Sequence, residues 1–158
     1  MKIKYSFLSF LFIILLNSCK DEHIMIIEKW ENGTAKKEKR WINKESNSFK
    51  ELTYYDNSRI KLEKDYNNGE LYLYKAYYET GEIRAIVMYH NNNSIFGAEY
   101  YKNGQLMGSV PTNLNGEING TITYYYENGN LRGEQKYSNN KLIGNSKEYD
   151  LNGNLVSE

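Results

Sequence analysis

The sequence predicts an all-β protein, an antiparallel meander of stacked β-hairpins that forms one elongated single sheet. Three observations predict it: a short phrase repeats along the chain, each copy centres on a turn-forming pair, and aliphatic and aromatic residues alternate between copies. The clearest copy is Tyr125-Tyr126-Glu127-Asn128-Gly129-Asn130-Leu131. Tyr100-Tyr101-Lys102-Asn103-Gly104-Gln105-Leu106 and Tyr77-Tyr78-Glu79-Thr80-Gly81-Glu82-Ile83 repeat it closely. Looser copies begin at Trp30, Tyr54 and Tyr149. The glycine position falls at 33, 58, 81, 104, 129 and 153, giving steps of 25, 23, 23, 25 and 24 residues. A fixed period of this size marks units that stack on their neighbours instead of wrapping one core.

Each unit is justified in turn by its corners and its stripes. Asn-Gly between alternating apolar residues favours a two-residue type I′ turn, in which both central residues take positive φ. In that register Tyr126 faces Leu131, Tyr101 faces Leu106, Tyr78 faces Ile83, Tyr55 faces Ile60 and Trp30 faces Ala35. Aromatic–aliphatic pairs of this kind contribute roughly 0.2–1 kcal/mol each. Asn57-Ser58 lacks the glycine, so its turn is expected to be strained or of another type. Six residues beyond each aliphatic stands Trp41, Tyr66, Tyr89 or Tyr137, with Thr112 in the fourth unit. The even spacing keeps these on one sheet face. A second turn follows at Asn67-Asn68-Gly69, Asn91-Asn92-Asn93, Asn115-Gly116 and Asn139-Asn140, so each unit is two strands and two turns. Eleven or twelve short strands are expected, with Pro111 interrupting one of them.

The N-terminus is set apart. Lys2 and Lys4 precede an apolar run from Tyr5 to Leu16, twelve residues long, which is too short for a bilayer span of ~20 residues but suits a signal peptide. Leu16-Asn17-Ser18-Cys19 resembles the bacterial lipobox. That resemblance implies residues 1–18 as a lipoprotein signal peptide and Cys19 as the first mature residue, anchored in the membrane through its lipid. Cys19 is the only cysteine, so no disulfide is available. Lys20-Asp21-Glu22 resembles tags that send such lipoproteins to the outer face of the outer membrane. The expected organisation is 1–18 signal peptide, 19–29 tether, and 30–158 a repeat domain of about six units, the first two degenerate. The expected location is the cell envelope, as an outer-membrane lipoprotein exposed at the surface.

Aromatic-Tyr-x-Asn-Gly-x-Leu, a later aromatic, a polar turn and a further glycine (Gly97, Gly120, Gly144) resemble the bacterial variant of the MORN repeat. The likeness runs from Trp30 to the C-terminus and is clearest over 125–149. It implies hairpin arrays that bind proteins or lie near membranes. Bacterial chains built from this variant are grouped as YwqK-family antitoxins, which implies a partner toxin.

Composition excludes some functions. Without residues 1–18 the chain has 18 basic and 20 acidic residues, net −2, which gives no basic stripe for nucleic acid and no reason to expect electrostatic docking on anionic lipid. No catalytic residues, metal ligands or cofactor are expected. The two histidines, His23 and His90, lie on the tether and beside a turn, and the acids form no catalytic pair. The expectation is a protein that is not an enzyme. Tyr54, Tyr77, Tyr100 and Tyr125 precede the second tyrosines and are expected on the opposite face, as a possible interaction surface for peptide or glycan. The sequence leaves the oligomeric state open.

Overall fold

The computed structural model describes residues 23–158, and all of the secondary structure in them is β. The expected signal peptide over 1–18, Cys19 and the Lys20-Asp21-Glu22 segment lie outside the described residues. Thirteen strands follow in chain order: β1 His23–Lys29, β2 Ala35–Asn43, β3 Ser48–Tyr54, β4 Ile60–Asn67, β5 Glu70–Tyr77, β6 Ile83–His90, β7 Asn93–Tyr100, β8 Leu106–Pro111, β9 Gly120–Tyr125, β10 Leu131–Ser138, β11 Lys141–Leu142, β12 Lys147–Tyr149 and β13 Leu155–Ser157. They form one antiparallel sheet in sequence order, with only the two-residue β11 standing off the path beside β10. The expected meander of hairpins is the observed fold.

Stretch 23–29, read from sequence as tether, is a strand. β1 pairs with β2 from His23↔Trp41 to Lys29↔Ala35. Its run Ile24-Met25-Ile26-Ile27 does not alternate, because an outermost strand has a neighbour on one side only and covers neither face well.

The rim that carries the repeated phrase uses three-residue loops, not the two-residue type I′ turns expected from sequence. At Asn128-Gly129 only Gly129 takes positive φ, at 88°. The Gly129 amide donates to the Tyr126 carbonyl and the Tyr126 amide donates to the Asn130 carbonyl, both at 2.9 Å. This is a type I turn closed by a left-handed glycine, the three-residue hairpin loop. The extra residue shifts the register: Leu131 faces Tyr125, Leu106 faces Tyr100, Ile83 faces Tyr77, Ile60 faces Tyr54 and Ala35 faces Lys29. The side chain of Asn128 supports the loop by accepting from the Asn130 amide at 3.0 Å. Ser58 fills the glycine position with φ of 65° and the same backbone bonds, so that turn is strained but not of another type.

True type I′ geometry lies on the other rim. Asn68-Gly69, Asn91-Asn92 and Asn139-Asn140 have positive φ at both positions and join Asn67↔Glu70, His90↔Asn93 and Ser138↔Lys141. Asparagine tolerates the left-handed region better than other residues with a side chain, which suits it to these corners. Pro111 ends β8, and only Gly108↔Tyr124 and Ser109↔Thr123 pair β8 with β9 before the ladder loosens.

A conventional core is absent among the described residues. Phe49, Leu52, Ala76, Ala98 and Ile122 are buried, but no large side chain is fully enclosed. Trp41, Phe49 and Tyr66 stack across β2, β3 and β4, with ring centroids 5.1 and 4.4 Å apart. The ladder and contacts between successive units must therefore supply much of the stability.

Candidate functional site

Two rows of tyrosine run the length of the sheet, and the fold gives them different tasks. The second tyrosine of each phrase opens the three-residue loop, where its ring reaches toward the next unit. The Tyr55 hydroxyl donates to the Tyr77 carbonyl and the Tyr78 hydroxyl to the Tyr100 carbonyl, each at 2.8 Å. Tyr101 donates to the Tyr125 carbonyl and Tyr126 to the Tyr149 carbonyl, each at 2.9 Å. Every donor bonds a backbone oxygen 22 to 24 residues on, so one hydrogen bond stitches each unit to its successor. Trp30 holds this position in the first unit, and its indole N–H is buried without a partner. Asp150 holds it in the last, where it accepts from the Asn152 and Asn154 amides of its own turn at 2.8 Å. The array's ends lack the latch.

The first tyrosines are the residues the sequence nominated as a surface. Strand alternation puts Tyr54 on the face that carries Glu38, and Tyr77 on the face that carries Glu63. All four of Tyr54, Tyr77, Tyr100 and Tyr125 are half-buried instead of freely exposed. Tyr54 donates to Glu38 Oε1 at 2.6 Å and Tyr77 to Glu63 Oε2 at 2.7 Å. Tyr100 and Tyr125 have no hydroxyl partner among the described residues. For Tyr100 and Tyr125 the position homologous to Glu38 and Glu63 is taken by Ile86 and Ser109, which removes the carboxylate acceptor.

Around the first pair lies a charged cluster that sequence reading missed. Glu38, Glu63 and Asp65 are buried on one sheet face. Lys50 Nζ lies 2.6 Å from Glu63 and 3.4 Å from Asp65, while Lys75 Nζ lies 3.7 Å from Glu63. Arg40 bonds Glu38 and also donates to the Tyr54 hydroxyl at 3.1 Å. Burial, reinforced by Glu38, pushes the Tyr54 phenol up to about 12. Burial and Glu63 raise Tyr77 further. For Glu63 burial opposes the charge, but hydrogen bonds from Lys50 and Tyr77 win and hold the carboxyl below its ordinary range. Asp65 is raised, chiefly by burial with Glu63 adding to it, and its Oδ1 has no hydrogen-bond partner. The acids that look scattered in the sequence thus converge, because cross-strand register joins residues 12 to 16 positions apart.

The cluster is an ion-pair network. Its acids are each engaged by lysine, arginine or tyrosine, and among the described residues no three potential ligands assemble for a metal. On the other face, Ala85, Val87, Gly97, Gly108 and Val110 floor an open apolar trough of about 420 Å³ rimmed by Tyr101 and Tyr124. A polar hollow of about 600 Å³ lies between β10 and β12, lined by Tyr124, Tyr149, Arg132 and Glu134.

An open array of latched hairpins with solvent on both faces defines a repeat scaffold. Residues 73–91, 118–139 and 142–158 match the family described as MORN repeat variant. No curated protein matches the chain. Among solved structures, a mutant of S. aureus TarM in complex with fondaparinux, alpha-GlcNAc-glycerol and UDP is similar at 9% identity, with a TM-score of 0.44 over 63% of this chain. A GtfA/B complex is similar at 11% identity, with a TM-score of 0.39 over 73% of this chain. The chain spans only 21% and 20% of the length of those two proteins.

Proposed function

We propose that this chain is a non-enzymatic, lipid-anchored repeat protein of the bacterial envelope whose extended sheet docks a protein partner. Antitoxin-like neutralisation of a partner toxin is the special case suggested by the repeat type. The observation that carries the reading is the single-layer sheet: twelve strands in sequence order, no second layer among the described residues, and stability drawn from the latches. Such a surface offers wide contact area without a closed pocket. The anchor would be lipid on Cys19, and the location the outer membrane with display at the surface. Crosslinking on intact cells, followed by mass identification, tests it. One stoichiometric protein partner supports docking, and recovery of the protein uncrosslinked from its native membrane counts against it.

A second reading is a glycan-binding or structural surface element. It is favoured by Tyr100 and Tyr125, half-buried rings whose hydroxyls have no partner among the described residues. Retention on polysaccharide resin that is lost in Tyr100→Ala and Tyr125→Ala would support it.

A further inference from the structure

The first hairpin differs from all the others. β1 is the outermost strand, and Ile24, Met25, Ile26 and Ile27 are 49, 51, 42 and 46% exposed in an unbroken row. Ile42, one residue past the partner of His23, is also exposed. The protein's only two tryptophans flank this edge: Trp30 follows its last residue and Trp41 lies opposite its first. Charge is polarised in the same direction. Residues 23–44 hold six basic and three acidic side chains, net +3, whereas residues 45–158 hold eleven basic and fifteen acidic, net −4. The near-neutral total hides a basic, apolar base and an acidic remainder. This end also lies outside every segment matched to the repeat family.

We infer that the β1–β2 hairpin is a docking edge for an anionic phospholipid surface, so that the sheet meets the bilayer through β1. Apolar side chains flanked by tryptophan and by lysine or arginine are the composition that partitions to the headgroup boundary. The depth is limited by the backbone. The outer N–H and C=O groups of β1 have no strand beside them among the described residues, so they can sit among headgroups and water but not in hydrocarbon.

Two observations favour lipid over a second copy of the chain. The ladder of β1 carries a register shift between Ile26 and Glu28 that leaves Ile27 as an extra residue in the edge strand, and a bulge of this kind spoils an edge as a template for another strand. A paired strand would also satisfy the backbone while leaving isoleucines on both faces in water. Position adds to this, and here the inference rests on the proposed anchor. His23 stands four residues from Cys19, a reach of at most about 14 Å. An acylated Cys19 would therefore hold β1 against the membrane, at the rim where Trp41 and Ile42 lie.

The tryptophans are built-in reporters. The acylated mature protein would be reconstituted in vesicles of phosphatidylethanolamine and phosphatidylglycerol, with and without brominated acyl chains. Docking predicts loss of about half or more of the tryptophan emission in brominated vesicles, since both indoles lie at the base. The double variant Ile24→Ser, Ile26→Ser should keep its lipid and still sediment with vesicles, but escape quenching. The single variants Lys36→Glu and Lys37→Glu should weaken quenching more at low salt than at high salt. Mass measurement of Cys19 separates the two ideas. A protein without acyl groups refutes the anchor, and quenching is then read on protein bound to the vesicles by itself. Unquenched emission from vesicle-bound protein overturns the inference, as does self-association through β1 that Ile26→Lys abolishes.

Discussion

Replacing Tyr101 by phenylalanine removes one hydroxyl and preserves the ring. That hydroxyl donates at 2.9 Å to the Tyr125 carbonyl, the join between one repeat and the next. A neutral hydrogen bond of this type contributes about 1 kcal/mol net. Tyr55, Tyr78 and Tyr126 make the same join at 2.8 to 2.9 Å. Successive latches stand two strands apart, roughly 10 Å, far enough for their effects to add. The quadruple Tyr→Phe variant should therefore lose about 4 kcal/mol, a large share of the ~5–15 kcal/mol typical of a folded domain. The control lies one residue away. Tyr100→Phe and Tyr125→Phe remove hydroxyls that have no partner among the described residues, so each should cost close to nothing. Urea unfolding followed by circular dichroism and by tyrosine fluorescence measures both sets. Because the latch is a nearest-neighbour contact, its loss should also broaden the transition as units begin to unfold separately. Equal costs at Tyr100 and Tyr101 would refute the assignment of stability to the latch.

The other predictions are shorter. Gly129→Val should destabilise by more than ~1 kcal/mol, because a β-branched residue resists a φ of 88°, whereas Asn128→Ala should cost less, because Asn128 needs no positive φ and loses only the hydrogen bond it accepts from the Asn130 amide; the same unfolding experiment measures both. Asp65→Asn should raise the melting temperature at neutral pH. The folded pKa of Asp65 is raised, so its stabilising contribution is present below the unfolded value of ~3.9 and lost as pH rises through the folded value; the gain from Asn should vanish in acid. Glu63 has the opposite sign. Its contribution is present above the unfolded value of ~4.3 and lost as pH falls through the lowered folded value, so Glu63→Gln should destabilise at neutral pH and converge with the parent in acid. Cys19→Ala should abolish fatty-acid labelling in cells and leave the precursor uncleaved, and unchanged labelling would remove the anchor.

The sequence carried the period, the strand class and the location of nearly every corner. It did not carry the loop type. Asn-Gly suits both a two-residue type I′ turn and a three-residue loop, and the choice depends on where Tyr126 puts its amide, a contact with Asn130 that leaves no compositional trace. That single residue moved the partner of Leu131 from Tyr126 to Tyr125. The type I′ corners are visible in the sequence as Asn68-Gly69, Asn91-Asn92 and Asn139-Asn140, on the rim opposite the repeated phrase. Of the nominated surface tyrosines, Tyr54 and Tyr77 turn out to be tied to Glu38 and Glu63, a link between strands that only cross-strand register can reveal. β1 escaped notice because an edge strand obeys neither the repeat phrase nor period-two alternation. The latch was equally hidden: its acceptor is a backbone oxygen, and a backbone oxygen is the same in every sequence.

Because each latch grips only the following unit, the array works as a ruler marked in whole repeats. At roughly 4.8 Å per strand, the twelve strands of the path span on the order of 50 Å, and one further pair would lengthen the molecule by about 10 Å without altering any existing corner. Duplication or loss of a 23–25-residue block is thus a ready genetic means of setting how far the C-terminal end extends from the base. Selection could tune reach in integer steps while the chemistry of each rung stays the same.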